Sequence, residues 1–477
     1  MVYRKHNNNN LSLLGFGFLR LPLLSGKPGV PVSGDEIDYE HLQTMVDYSI
    51  ENGINFFDTS HVYTDGYSEI ALGQALKKHD RSKVYISTKM TAGRNRTVDE
   101  MSAIFDAQLE RLQTDYIDYY LFHNIRNQSW DSFKQSGLWD FLCKKKKEGQ
   151  VRHIGFSFHG TTDLLREVVE EYDFELVMLQ LNYLDWIMQS ADEQYKICAE
   201  KNIPIAVMEP VRGGALAKWP DDINPPKNEM SPASYAIRWV ASLPKVVCVL
   251  SGMSNMEHVR DNVKTMQEFK PISDGEQEFI DDVVRKHLLM DNIPCTACGY
   301  CVPHCPKKIE ISRVFPLYND NIRSSRWTSL WLISSEDRFN IDCIKCNQCL
   351  PHCPQNISIP GELEKMQASL NILQKENRHY FTEYIPHGEV ILYGAGVNAA
   401  LMLKAWKSQG LHAVCFADAD NAKHYTRFNE TCYEILPPLE AISHYPNACI
   451  YIALAQNNFR SAVKYLIEIG FPEERIF

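Results

Sequence analysis

The stretch "INFFDTSHVYTDGYSE" at residues 54–69 decides the fold, because it joins a strand, a polar loop and the start of a helix. Its first five residues, INFFD, have the length and apolar composition of a buried strand that ends at Asp58. The loop beyond contains Tyr63, and "SEIALGQALKKH" then has the apolar spacing of an amphipathic helix. The same pattern, repeated along the chain, predicts an α/β architecture.

Seven further apolar runs of this kind lie between residues 11 and 265, with helical patterns between them. Continuous apolar strands separated by helices are typical of a parallel sheet that is covered on its faces. Eight such units in about 250 residues predict a TIM (β/α)8 barrel. The eight runs are LLGFGFL, INFFD, VYIST, YIDYYLFH, VRHIGFS, LVMLQLN, IPIAVME and VVCVLSG.

Four ionisable residues stand at the ends of neighbouring strands, where such barrels place their active sites. Lys89 ends the third strand and His123 the fourth, so both converge with Asp58 and Tyr63 on one mouth. Hydride addition to a carbonyl leaves an alkoxide that needs a proton. A nearby Lys89 ammonium favours the tyrosinate and makes Tyr63 a better donor. Asp58 can hold the lysine and His123 can orient the carbonyl oxygen, so the set predicts carbonyl reduction.

Two stretches in the later part of the chain, "CTACGYCVPHCP" (295–306) and "CIKCNQCLPHCP" (343–354), share the spacing C-x2-C-x2-C-x3-C-P. This spacing is typical of bacterial ferredoxins, in which the fourth cysteine of each run ligates the other cluster. Zinc, usually held by two C-x2-C pairs with a longer loop between them, is the alternative. The pattern predicts two [4Fe–4S] clusters, one on Cys295, Cys298, Cys301 and Cys353, and one on Cys343, Cys346, Cys349 and Cys305.

The motifs "GINFFDTSHVY", "STKM", "LFH", "GFSFHG", "LQLNYLDW", "MEPVRGGALA" and "SGMSNMEHVRDNV" resemble the aldo-keto reductases. Over roughly residues 10–360 the chain more closely resembles the branch fused to a ferredoxin-like cysteine segment. The resemblance implies a TIM barrel, Tyr63 as proton donor, and NADP(H) extended across the mouth. NAD(H) is not excluded, because the usual basic clamp for a 2′-phosphate is missing after the eighth strand, where Arg260 is the candidate substitute.

The resemblance also assigns individual cofactor contacts. Ser157 and Gln180 are expected to hold the nicotinamide carboxamide, and Tyr183 to stack on its ring. The remaining positions are Arg212 and Gly213 for the pyrophosphate, and Ser251, Gly252, Met253, Glu257 and Asn262 for the adenosine half.

The last part of the chain carries a second nucleotide signal. "LYGAGVNAA" places Gly394, Gly396 and Ala399 in G-x-G-x-x-A spacing after an apolar strand, and Asp418 ends the next strand. Residues 388–477 therefore read as a small Rossmann-like domain that either binds a nucleotide or is a degenerate module kept for packing. The expected organisation is a barrel (1–272), a connector helix with the ferredoxin-like module (273–360), a linking helix (361–387) and this domain.

Net charge and hydropathy argue against several classes of protein. A net charge of −11 argues against a nucleic-acid binder. No run of about 18 apolar residues appears, and no signal peptide is recognisable, so we expect no membrane contact and a cytoplasmic location. The predicted clusters, if exposed, indicate an anaerobic or low-oxygen cytoplasm. Residues 7–10, four asparagines, predict a hairpin turn.

The predicted function is interconversion of a small carbonyl compound and its alcohol, with a redox protein as a further partner. The alternative is an iron–sulfur electron-transfer or docking protein in which the barrel is a scaffold.

Overall fold

The computed structural model describes the chain except residues 27–28, 32, 93–95, 220–222, 224, 227–229, 290–291, 325–340, 369–388, 396–398, 400–412, 428–432, 454–455, 473–474 and 477. The chain divides into two compact units. The first unit contains residues 1–303 and 348–357, and the second contains 304–347 and 358–477. Gly396 and most of the expected linking helix lie outside the described residues.

The first unit begins with a short antiparallel hairpin of β1 (Tyr3–His6) and β2 (Asn9–Ser12). His6 pairs with Asn9, so Asn7 and Asn8 form a two-residue turn. Asn7 has a positive φ of 51°, a conformation that asparagine tolerates better than most residues. The predicted hairpin turn is therefore confirmed.

Eight parallel strands then close into a barrel, in which β10 pairs with both β3 and β9. All eight predicted strands are present, and the predicted TIM barrel is confirmed. The strands are β3 (Leu14–Gly17), β4 (Phe56–Asp58), β5 (Tyr85–Met90), β6 (Ile117–Ile125), β7 (Val151–Phe158), β8 (Leu176–Gln180), β9 (Ile205–Met208) and β10 (Val246–Ser251).

The helices of the first unit follow these strands. The last of them begins with a capping box, in which Ser273 N donates to Glu276 at 2.9 Å and Glu276 N donates to Ser273 at 3.4 Å. The helices are α1 (Tyr39–Glu51), α2 (Tyr67–Leu76), α3 (Val98–Leu112), α4 (Trp130–Gln135), α5 (Leu138–Lys147), α6 (Thr162–Glu171), α7 (Asp185–Met188), α8 (Ala191–Glu200), α9 (Pro232–Ala241), α10 (Met256–Gln267) and α11 (Asp274–Leu289).

Side chains alternate along the barrel strands because neighbouring residues of a strand point to opposite faces. Phe56 and Met178 belong to a buried cluster with Leu11 of the hairpin. Phe57 and Val177, the adjacent residues, belong to the larger core that includes the surrounding helices. This packing fixes the strands, so that the residues at their carboxyl ends are held on a rigid frame.

The second unit contains α12 (Ile311–Ser324) and a four-stranded parallel sheet in the order β13-β12-β11-β14. Ile391 and Leu392, adjacent on β11, belong to separate buried clusters. No helix within the described residues is long and apolar enough to cross a membrane. The remaining elements are β11 (Val390–Tyr393), β12 (Cys415–Ala417), β13 (Ile435–Leu436), α13 (Pro438–His444), β14 (Cys449–Ile452) and α14 (Gln456–Glu468).

Candidate active site

A cavity of about 920 Å³ lies within the first unit and is lined by all four predicted catalytic residues, Asp58, Tyr63, Lys89 and His123. Asp58 and Lys89 stand at or near the ends of their strands, and Tyr63 lies in the loop after β4. The cavity therefore opens at the carboxyl ends of the strands, where barrel enzymes carry their chemistry.

Lys89 is the centre of this group. Its Nζ lies 2.7 Å from Asp58 Oδ2 and 2.7 Å from the carbonyl oxygen of Thr59, and donates to the Tyr63 hydroxyl at 3.2 Å. Burial lowers the pKa of Lys89, and the Asp58 carboxylate opposes that shift. The structure thus brings an ammonium group and a phenol together, and the carboxylate fixes the ammonium in place.

Tyr63 is held as a neutral phenol. Burial, followed by the negative charge of Asp58, raises the pKa of Tyr63 above its usual value. The net shift is opposite to the one expected from Lys89 alone, because removal of the phenolate from water outweighs the nearby cation. The proton therefore stays on Tyr63 until an acceptor arrives.

His123 lies beside Tyr63, with the two rings edge to face and their centroids 5.7 Å apart. Its Nδ1 is 3.0 Å from Ser60 Oγ, which fixes the plane of the ring. Burial, followed by repulsion from Lys89, holds the pKa of His123 well below its usual range. The imidazole is therefore neutral, and Nε2 is the nitrogen left for a ligand.

Most of the predicted cofactor residues of the barrel line the same cavity. Ser157 Oγ accepts the backbone N–H of Asn124 at 2.7 Å, and Asn262 Nδ2 donates to Ser251 Oγ at 3.0 Å. The predicted cofactor residues in the lining are Ser157, Gln180, Gly213, Ser251, Gly252, Glu257 and Asn262.

Tyr183, Arg212 and Met253 are buried outside the cavity lining. The Arg212 side chain pairs with Asp185, with 3.0 Å between Nε and Oδ1. The ring of Tyr183 lies edge-on to Trp239, with centroids 6.3 Å apart. The expected cofactor contacts of these three side chains stay predictions.

The cavity also contains residues that the sequence analysis did not select. Arg20, which follows the first barrel strand, pairs with Glu209 at 3.1 Å and donates to the carbonyl oxygen of Thr296 at 2.5 Å. The sequence could have indicated Arg20 and Glu209 as site residues, because each follows a barrel strand. The cysteine segments contribute Thr296, Cys298, Tyr300, Pro354 and Gln355.

Gln355 reaches a residue predicted to bind the cofactor. Its Oε1 accepts from Gln180 at 3.0 Å and from Gln189 at 2.5 Å, and its Nε2 donates to Gln180 at 2.8 Å. The amide of Gln180, expected to hold a carboxamide, is thus already paired with another primary amide. Gln355 lies just after the second cysteine motif, and the spacing of that motif gave no sequence signal for this contact.

One predicted cluster set lies entirely in the first unit: Cys295, Cys298, Cys301 and Cys353. The other three thiols, and also Cys349 of the second predicted set, are near enough to Cys301 to affect it electrostatically. Within the described part of the chain, no three His, Cys, Asp or Glu side chains could hold one metal ion. Four thiols are the donor chemistry that a [4Fe–4S] cluster takes.

The second predicted set is divided, with Cys349 in the first unit and Cys305, Cys343 and Cys346 in the second. Its ligation of a cluster stays a prediction from the spacing.

Asp418 and Gly394 lie together in the second unit. Asp418 Oδ2 accepts the N–H of Ala395 at 2.7 Å and pairs with Lys423 at 2.9 Å. Gly394 has a φ of 99°, which suits a turn directly after a strand. The acidic side chain therefore braces the glycine-containing loop.

Comparison with known proteins gives two family matches. The Aldo/keto reductase family profile matches residues 22–285, and a 4Fe-4S dicluster domain profile matches residues 293–358. Both matches confirm the resemblance found in the sequence.

Individual relatives are distant. L-galactose dehydrogenase of Arabidopsis thaliana is 26% identical over 304 residues, which is 59% of this chain and 92% of the relative. NADH-specific methylglyoxal reductase of Escherichia coli is 27% identical over 266 residues, 45% of this chain and 79% of the relative. A solved aldo-keto reductase from Bacillus halodurans aligns with a TM-score of 0.49 and 22% identity, covering 59% of this chain and 96% of that one.

Proposed function

Since the chain belongs to the aldo/keto reductase family and is an NAD(P)H-dependent oxidoreductase with a 4Fe-4S domain, we propose that it interconverts a small carbonyl compound and its alcohol. The observation that carries the proposal is the 3.2 Å hydrogen bond from Lys89 to the phenol of Tyr63 inside the cavity. A buried neutral phenol beside a fixed ammonium group is suited to proton donation.

When bound, the nicotinamide supplies the hydride that adds to the carbonyl carbon. Tyr63 then gives its hydroxyl proton to the carbonyl oxygen as negative charge develops there. Lys89 stabilises the resulting phenolate, and Asp58 keeps the lysine oriented at 2.7 Å. Removal of water from this buried group strengthens each of these interactions.

His123 orients the substrate. A Ser60 hydroxyl that donates to Nδ1 places the imidazole proton on Nε2, which can then donate to the carbonyl oxygen. Two donors, Tyr63 and His123, would fix the oxygen, so the carbonyl carbon faces the hydride.

We infer that NADP(H) is the preferred cofactor. Ser157 and Gln180 would hold the carboxamide, since their polar groups line the cavity. Arg260 and Lys264 also line it, on α10, and supply the positive charge that a 2′-phosphate needs. NAD(H) is the alternative, and the methylglyoxal reductase among the relatives is named NADH-specific.

The polar part of the cavity favours a hydroxylated substrate of the sugar-derived class. Arg20, Asn124, His159 and Glu209 bring hydrogen-bonding groups into the lining. Burial, followed by the charge of Arg126, lowers the pKa of His159 to about 3, so this histidine is neutral. The relative named L-galactose dehydrogenase supports the same substrate class.

We propose two [4Fe–4S] clusters on the two predicted cysteine sets. When bound, such clusters exchange single electrons, which suits a redox protein partner. For the second unit we propose a Rossmann-like half, supported by its order β13-β12-β11-β14 and by Gly394 and Asp418 after consecutive strands.

The proposal is tested by anaerobic turnover of glyceraldehyde and other small carbonyl compounds with NADPH, comparing wild type with Tyr63→Phe. A proton donor contributes about 10²- to 10⁴-fold to the rate, so turnover by the variant should fall at least about 100-fold. The variant should still bind NADPH. If Tyr63→Phe kept full turnover and Cys298→Ser abolished it, the electron-transfer alternative would replace this function.

A further inference from the structure

Tyr300 lies between two cysteines, in "CGYC", yet it lines the cavity of the barrel. Cys298 of the same motif also lines it. A motif expected to serve a cluster thus forms part of the wall around Tyr63, within one compact unit.

The barrel is shaped to receive this segment. Arg20 donates to the carbonyl oxygen of Thr296 at 2.5 Å, and Thr296 is only 2% exposed. Gly213 has a φ of 63°, and a Cβ at this position would meet the Thr296 oxygen at 2.3 Å. Only a residue without a side chain permits so close an approach. The position of Tyr300 therefore follows from contacts that the barrel itself makes.

Tyr63 and Tyr300 line the same cavity, and their phenols lie close enough to influence each other. A phenol oxygen has two lone pairs and one proton. Lys89 Nζ already donates to the Tyr63 oxygen at 3.2 Å, and Tyr63 needs its own proton for the substrate. In a hydrogen bond between the two phenols, Tyr300 would therefore be the donor.

We propose that Tyr300 is a positioning residue of the reaction site, contributed by the cysteine segment, whose hydroxyl donates to Tyr63. This inference rests on the proposed function, in which Tyr63 is the proton donor. It goes beyond that function because it makes the cysteine segment a part of the barrel's active site.

The hydrogen bond from Tyr300 affects the step in which the proton leaves Tyr63. Hydride passes from the bound nicotinamide to the carbonyl carbon, and the proton passes from Tyr63 oxygen to the substrate oxygen. The Tyr63 phenolate then accepts from both Lys89 and Tyr300. Hydrogen bonds to a charged acceptor are stronger than those to a neutral one, so the Tyr300 bond strengthens as the proton leaves.

The arrangement gives one reason for the union of both modules in one chain. The barrel contacts at Thr296 seat the segment, and a cluster on Cys298 and Cys301 would hold it further on both sides of Tyr300. An intact cluster would then support proton donation even if no electron passes from the cluster to the substrate.

The test uses the full-length, iron-loaded protein under anaerobic conditions, with NADPH and glyceraldehyde as probes. The variants are Tyr63→Phe, Tyr300→Phe, their double variant, and Tyr318→Phe as the matched control in helix α12, outside the cavity lining. Iron per chain and the Kd for NADPH are measured on every sample. Rates are divided by the fraction of chains that carry iron and bind NADPH.

Loss of a hydrogen bond to a charged group should lower kcat of Tyr300→Phe about 10- to 100-fold. The KM for glyceraldehyde and the Kd for NADPH should change little, and the double variant should be no slower than Tyr63→Phe. Replacement of Tyr300 by 4-aminophenylalanine, which keeps a donor at the same reach, should restore most of the rate.

The outcomes separate the two proposals. If Tyr63→Phe were as fast as wild type, the proposed function itself would fail. If Tyr63→Phe were slow while Tyr300→Phe matched Tyr318→Phe, only the role of Tyr300 would be overturned. The same conclusion would follow if Tyr300→Phe and 4-aminophenylalanine at position 300 gave equal rates at equal iron content.

Discussion

Gln180 and Gln355 exchange two hydrogen bonds, of 3.0 and 2.8 Å, through their primary amides. Gln180 stands at the end of a barrel strand, and Gln355 follows the last cysteine of the second motif. A nicotinamide also ends in a primary amide. The side chain of Gln355 therefore presents to Gln180 the same pair of donor and acceptor groups that the carboxamide would present.

This pairing predicts that Gln355 competes with the cofactor for Gln180. Gln355→Ala removes the competing amide, and the Kd for NADPH should fall about 3- to 10-fold, equivalent to one net hydrogen bond. The measurement is nicotinamide fluorescence during titration of the anaerobic protein. Gln150→Ala, near the start of β7 and outside the cavity lining, is the control. An unchanged or weaker Kd would show that the amide pair does not stand in the way of the nicotinamide.

A second prediction separates stability from catalysis in the ion pair of Lys89 and Asp58. Lys89→Met leaves the Asp58 carboxyl buried without its 2.7 Å partner, and Asp58→Asn leaves the ammonium alone. Each single change should lower the free energy of unfolding of the barrel by about 3–5 kcal/mol. The double variant, with neither charge, should regain most of that stability and none of the activity.

Thermal midpoints and turnover of the three variants check this prediction together. A double variant as unstable as the single variants would mean that packing, and not charge burial, sets the cost. A double variant with restored turnover would remove Lys89 from the proposed mechanism.

The eight strands were predictable because each combines an apolar run with a following polar loop, a local pattern that the closed barrel preserves. The ends of these strands also indicated which ionisable residues meet, since parallel strands bring their carboxyl ends to one edge. Asp58, Tyr63, Lys89 and His123 are therefore gathered as the pattern implied. Their local sequence contained the information.

Tyr300 and Gln355 could not be predicted in the same way. Tyr300 is a spacer residue in a motif whose regularity concerns only the cysteines, and Gln355 follows the other motif. The partners of both are far away in the chain. Arg212 is a further case. Its pyrophosphate contact stays a prediction, while its 4% exposure and its pairing with Asp185 could not be read from the motif. Such orientations depend on tertiary packing that spacing does not encode.

A third prediction concerns the choice between the two nicotinamide cofactors. Arg260→Ala and Lys264→Ala should each weaken NADPH binding about tenfold, because a charged hydrogen bond to the 2′-phosphate is lost. NADH lacks that phosphate, so its Kd should stay nearly constant. Lys245→Ala, outside the cavity lining, controls for loss of a positive charge. Equal weakening of both cofactors would place these residues at the pyrophosphate or in the structure of α10 instead.

A fourth prediction uses the pH dependence of stability. Burial lowers the pKa of His159 to about 3 in the folded chain, while an unfolded histidine titrates near 6.5. Between these values the unfolded chain binds the extra proton, so stability falls as pH drops from about 6.5 towards 3 and is unaffected above that window. His159→Gln removes this loss. Between pH 7 and pH 4 the variant should lose about 3 kcal/mol less than wild type.

Thermal midpoints of wild type and His159→Gln at closely spaced pH values measure the difference. Lys134→Gln, at a group whose charge does not change in this pH range, serves as the control for altered surface charge. Parallel curves for wild type and His159→Gln would show that His159 can be protonated without unfolding.

The last prediction tests whether Gly213 positions the cysteine segment. Gly213→Ala would bring a Cβ to 2.3 Å from the carbonyl oxygen of Thr296, so the segment must move. Gly214 has a similar positive φ, of 94°, but a Cβ there meets nothing within 4 Å. Gly214→Ala therefore reproduces the backbone strain without the steric clash.

We expect Gly213→Ala to lose iron and to slow glyceraldehyde reduction about 10-fold or more, since Tyr300 is carried on the displaced segment. Gly214→Ala should keep its iron, and only backbone strain should affect its rate. That strain costs roughly 1–2 kcal/mol of folding free energy. Iron analysis, NADPH titration and turnover on the same preparations separate the two effects. If both variants lost iron and rate equally, backbone strain would explain the need for glycine, and close contact between the barrel and the cysteine segment would not.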